Sequence, residues 1–207
     1  MIIDGELGRH LESYFGSFFR IYSAVTYRTH AVEPHIGSFL WHRDTAPMSQ
    51  IHVIVYLTDS GPETGATFAL NIRQTVRAAS LGYHFESLED RIQDIDTVFA
   101  DVDEIPEVVR HDVAAGDSLV IAPSRVLHRG SLPKTGYRDT FTLIILPSMT
   151  PWRRDIEEFG DDHVFQKISS ATLSTNPFEA LSPLIPEETE RGVSVRDQWV
   201  LTGQMFP

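Results

Sequence analysis

Four side chains have the types and spacing from which chemistry can be made: His42, Asp44, His128 and Arg138. Two imidazoles and a carboxylate are a donor set that suits divalent iron, manganese or zinc, and the chain has no cysteine to offer a thiolate instead. A guanidinium beside such an ion would hold an anion there, because its planar fork gives two parallel hydrogen bonds to a carboxylate. A His-x-Asp pair alone says little, since this composition makes about 0.65 of them by chance. Its placement says more. In an extended segment, residues two apart project from one face, so His42 and Asp44 can meet one ion while Arg43 points away. Two His-x-Glu pairs lack that setting. His10/Glu12 falls on a predicted helix, where positions two apart diverge, and His84/Glu86 lies outside any predicted strand.

A third ligand must come from downstream, where His52, His84, His111, His128 and His163 are the candidates. His128 stands out because it lies between two predicted core strands, Ser118–Ala122 and Phe141–Leu146, with an arginine ten residues later. Period-two alternation puts Arg138, Thr140 and Thr142 on one face of the last strand. Arg138 and Thr140 then form a clamp for a carboxylate, the guanidinium giving two bonds and the hydroxyl a third. The competing reading pairs Arg138 with Asp139 or Asp117. His52 and Tyr56 share a face by the same alternation, and His52 reads as a core histidine or a substrate contact.

The elements that must position these groups are mainly strands. Residues 4–16 form a predicted amphipathic helix with Asp4 as cap, and Phe18–Arg28 and Ala31–Trp41 read as extended. Ile51–Thr58, Thr67–Asn71 and Val108–Val113 are further predicted strands. Leu88, Ile92, Ile95, Phe99 and Val102 fall at helical spacing, predicting one surface helix in an insertion over about 72–107, a candidate lid. The proline-bearing tail, 151–207, is expected to wrap the domain as loops. Many short strands without βαβ alternation predict a mainly β fold, a double-stranded β-helix (a cupin-like jelly roll) with a few flanking helices. One domain is expected over 1–207, with its core at about 20–150.

This order of features resembles the 2-oxoglutarate- and Fe(II)-dependent dioxygenase superfamily: His-x-Asp, a distal His, then Arg or Lys about ten residues on. The resemblance runs from His42 to Pro147. YLTDSGPETGATF at 56–68 and HRGSLPKTGYR at 128–138 are similar to the prolyl-4-hydroxylase-type and phytanoyl-CoA dioxygenase-like branch. Prolyl 4-hydroxylases often carry Lys where this chain has Arg138, so substrate does not transfer. The resemblance implies Fe(II) on His42, Asp44 and His128, with 2-oxoglutarate as co-substrate, its far carboxylate on Arg138 and Thr140, and Tyr56 assisting. Dioxygen would be the oxidant. The implied reaction couples decarboxylation of 2-oxoglutarate to succinate with C–H hydroxylation of a small molecule, such as an amino acid or natural-product intermediate. The alternatives are hydroxylation of a peptide or protein side chain, or a cupin-type metal enzyme that does not use 2-oxoglutarate.

Bulk properties narrow the partners. A net charge of −12 and a pI near 5.1 argue against a nucleic-acid partner, which requires a basic face. No stretch has the length of a membrane span, and residues 1–15 lack the basic-then-apolar pattern of a signal peptide. A cytoplasmic enzyme is the expectation.

Overall fold

The computed structural model describes residues 5–31, 37–83, 90–102 and 104–159. The expected Asp4 cap, the His84/Glu86 pair, Leu88, His163 and the tail beyond Phe159 lie outside them. Among the described residues there are seven strands: β1 (Phe18–His30), β2 (Ile51–Tyr56), β3 (Thr67–Ala69), β4 (Val109–His111), β5 (Ser118–Ile121), β6 (His128–Gly130) and β7 (Tyr137–Ser148). One sheet has the order β1-β7-β2-β5 and the other β4-β3-β6, with every pairing antiparallel. An isolated antiparallel bridge between His42 and His128 adds the segment before β2 to the second sheet, outside β6. The chain therefore steps from one sheet to the other at nearly every connection, winding as a double-stranded β-helix. Among the described residues, no helix is long and apolar enough to cross a membrane.

Alternation along β2 and β7 sorts their side chains into two sets. Ile51, Val53, Val55, Leu143 and Ile145 pack with Phe19, Ile21, Ala24 and Leu11 into one apolar cluster. Helix α1 (Glu6–Phe15) lies against this face, with Leu7 and Phe15 joining the cluster. It ends at Gly16, whose left-handed conformation (φ 63°) lets its N–H close back on the Glu12 carbonyl. The opposite face carries His52, Ile54, Tyr56, Thr140, Thr142 and Ile144, which are register partners across β2 and β7. It looks toward the second sheet, as the Tyr56 hydroxyl to Thr67 Oγ1 contact of 2.8 Å shows. A bulge in β1 between Ile21 and Ser23 shifts the alternation by one residue and places Tyr27, the partner of Thr140, on this inner face.

Several elements differ from expectation. β6 falls between the two predicted core strands, and it pairs with β3 on one side and with His42 on the other. Gly37–Phe39 is a short 3-10 turn rather than extended chain. In place of one surface helix, the described residues of the 72–107 stretch hold α2 (Ile72–Ser80) and the four-residue α3 (Asp96–Phe99). Asn71 caps α2 by accepting from the Gln74 N–H. Ile95 and Phe99 are not on a solvated helix: with Trp41, Leu70, Ala78, Tyr83 and Leu127 they form a second apolar cluster. Where loops were expected after Pro151, helix α4 (Trp152–Phe159) lays Trp152 and Ile156 on the α1-covered face.

Candidate metal centre

His42, Asp44 and His128 converge, each offering a ligand atom within 4.8 Å of the others. The His42 and His128 backbones face each other through two reciprocal N–H to carbonyl bonds of 3.0 and 2.9 Å. That pairing brings the imidazoles together, with ring centroids 4.3 Å apart. Each ring has Nδ1 on the carbonyl two residues earlier, His42 on Leu40 at 2.7 Å and His128 on Val126 at 3.1 Å. A carbonyl only accepts, so the network assigns the proton to Nδ1 and leaves both Nε2 lone pairs for an ion. Both Nε2 atoms face the same oxygen, Asp44 Oδ1, at 3.5 and 3.8 Å. The Asp44 N–H donates to the Pro123 carbonyl at 3.1 Å, which ties the carboxylate's loop to the end of β5. Burial first, then the His128 and Arg91 charges, holds His42 well below the ordinary histidine range. It is therefore neutral, as a ligating imidazole must be.

His52 completes the surroundings of Asp44 in a way the sequence reading did not foresee. Its Nε2 stands 3.7 Å from Asp44 Oδ2, the oxygen turned away from the paired histidines. Gln50 Nε2 lies 2.7 Å from the same ring nitrogen. Burial pushes His52 down to about 4, with the nearby Asp44 opposing the shift. His52, read as a core histidine or a substrate contact, is buried beside the carboxylate. The signal lay in alternation along β2, but only the return of the 45–50 loop brings β2 back to Asp44. From β1, Tyr27 also faces the site: burial raises its phenol, and the Asp44 charge raises it further.

Arg138, Thr140 and Tyr56 share the inner face at the other end of the same strands. Arg138 is 7% exposed. Its Nη1 donates to the Ser131 carbonyl at 3.2 Å, and its Nε is buried with no partner among the described residues. Burial pulls this guanidinium below its ordinary range. The expected competitor, Asp139, is taken by Arg28 through bonds of 2.8 and 2.7 Å. Gly65 passes beneath the guanidinium with φ 81°; a Cβ there would sit 3.0 Å from Arg138 Nη1 and 2.5 Å from the Ser131 carbonyl oxygen. Thr140 and Tyr56 are register partners, and Tyr56 is almost wholly buried.

No family model and no curated protein matches the chain. Among solved structures it is similar to EctD from S. alaskensis with 2-oxoglutarate and 5-hydroxyectoine, at 15% identity and TM-score 0.48, over 70% of this chain and 50% of that one. AviO1 from Streptomyces viridochromogenes Tue57 is 19% identical, with TM-score 0.45, over 72% and 61%. SnoK, an alpha-ketoglutarate-dependent carbocyclase from nogalamycin biosynthesis, is 18% identical, with TM-score 0.41, over 76% and 63%. The match thus spans half to under two thirds of each of those chains.

Proposed function

We propose that the chain is a non-haem Fe(II) oxygenase of the 2-oxoglutarate-dependent superfamily, and that it hydroxylates a C–H bond of a small molecule. The observation that carries this reading is the shared aim of two tautomer-locked imidazoles at one oxygen of a buried carboxylate. His42 Nε2, His128 Nε2 and Asp44 Oδ1 would hold the ion on one face and leave adjacent positions open. Bound there, iron with 2-oxoglutarate and dioxygen supplies oxidising power, at the expense of decarboxylation to succinate. The protein's own part is placement. Arg138 is buried, with an unused Nε, on the face that carries Thr140 and Tyr56. The three would fix the far carboxylate of the co-substrate, and Ile54 and Ile144 would keep that part of the inner face dry.

The test is anaerobic addition of Fe(II) and 2-oxoglutarate to metal-free protein. A visible metal-to-ligand charge-transfer band is expected, absent from His128→Ala. His42→Ala and Asp44→Ala should abolish iron-dependent 2-oxoglutarate consumption. Iron binding without the band would transfer the site to a cupin-type enzyme with another co-substrate, and full activity in either alanine variant would dismiss the triad.

A further inference from the structure

Arg138 is matched by a second guanidinium buried to the same degree. Arg91 is also 7% exposed. Its segment is fastened to the arm that delivers His42: the Trp41 N–H donates to the Ile92 carbonyl at 2.8 Å. The Tyr83 hydroxyl donates to the Trp41 carbonyl at 2.6 Å and accepts from the Ile92 N–H at 3.2 Å. Among the described residues Arg91 makes one hydrogen bond, from Nη1 to the Gly37 carbonyl at 3.2 Å, and its Nε is buried without a partner. No carboxylate of the described residues forms an ion pair with it. It is nonetheless close enough to the centre that its charge depresses His42 and feels Asp44.

A cation removed from water and met by one neutral carbonyl is unfavourable unless something else neutralises it. The proposed metal complex does not. A dication, the Asp44 carboxylate, a doubly charged keto diacid and Arg138 together carry no net charge, which leaves Arg91 as an unbalanced positive charge beside the ion. Holding Gly37 in place would need only a neutral amide donor, so that contact does not account for a full charge with a free Nε. We propose that Arg91 anchors an anionic group of the substrate, a carboxylate or phosphate, against the arm carrying His42. This rests on the reading above and narrows it to small acids, for which a guanidinium fork is the matching receptor.

The test compares wild type, Arg91→Gln and Arg91→Lys as anaerobic Fe(II)–2-oxoglutarate complexes. Each is titrated calorimetrically with phenylacetate, inorganic phosphate and uncharged phenylacetamide. At least one anion should bind wild type ten or more times more tightly than Arg91→Gln, with phenylacetamide binding neither. Arg91→Lys keeps the charge and should retain much of the phosphate affinity. Phenylacetate and phosphate separate a carboxylate substrate from a phosphorylated one. The charge-transfer band should persist in Arg91→Gln. The same titrations on metal-free protein in an Arg138→Gln background require neither iron nor co-substrate, so failure of the band and failure of the anchor are read separately. Removing an unbalanced buried charge should leave the melting temperature of Arg91→Gln at or above that of wild type. Equal anion affinity in wild type and Arg91→Gln overturns the proposal, as does a lysine variant no better than glutamine. So does the absence of any anion binding to wild type at tens of millimolar.

Discussion

Strands β2 and β7 carry opposite tasks on their two faces. One face is aliphatic, Ile51, Val53 and Val55 against Leu143 and Ile145, and is closed by α1 and α4. The other bears His52 and Tyr56 opposite Ile144 and Thr140, with Arg138 further along. The two sets are separated by nothing more than the pleat. The apolar face can be packed to the limit because it does no chemistry. The polar face keeps buried hydrogen-bonding groups, such as the Arg138 and Gln50 side chains, that its own neighbours leave partly unused. The fold is stabilised on one side and poised on the other.

That division can be broken on its stable side first. Ile145→Ala removes a fully buried side chain and should destabilise the protein by about 2–5 kcal/mol. Chemical denaturation should show the loss, while Fe(II) stoichiometry in the folded protein stays unchanged. A matching loss of iron binding would mean the two faces are not independent.

The polar side has its own signature in pH. His52 is held at about 4 when folded, against an ordinary histidine value of 6.5. Below 6.5 the unfolded chain takes up a proton that the folded chain refuses, so stability falls as pH drops from about 6.5 to about 4. The full contribution is roughly 3 kcal/mol, and His42 adds in the same direction. Denaturation of metal-free protein across that range should flatten measurably in His52→Gln; an unchanged slope would place the titration elsewhere. The smallest effect expected is that of Tyr56→Phe. It strands Thr67 Oγ1 and should cost about 1 kcal/mol. If Tyr56 assists co-substrate binding, half-saturation for 2-oxoglutarate should rise with iron affinity unaltered.

Much of this arrangement was legible because it depends on local pattern. The spacing of Leu7, Leu11 and Phe15 marks α1, and the aliphatic run marks β2. Alternation after Tyr137 places Arg138, Thr140 and Thr142 together on the buried face of β7. His42, Asp44 and His128 were readable as a set from order and context, and the structure brings them together. What stayed hidden depends on partners. β6 is three residues, including a glycine, and owes its extended form to the neighbours on either side. Tyr27 reaches the inner face only because a bulge resets the parity of β1. Ile95 and Phe99 have helical spacing, but their burial comes from Trp41 and Leu127, distant in sequence. Arg91 carried no motif at all; that no carboxylate of the described residues forms an ion pair with it is visible only in three dimensions.

The reciprocal pair of backbone bonds between His42 and His128 gives the centre a mechanical asymmetry. It works as a clasp: parting the two backbones means opening both bonds in concert. Asp44 stands outside that clasp, on a segment tied to the turn after β5 by its own N–H on the Pro123 carbonyl and by Arg43 Nη1 on the Ser124 carbonyl at 3.4 Å. The spacing of the two nitrogens is therefore set by the main chain, through the paired backbones and the Leu40 and Val126 carbonyls that hold each Nδ1.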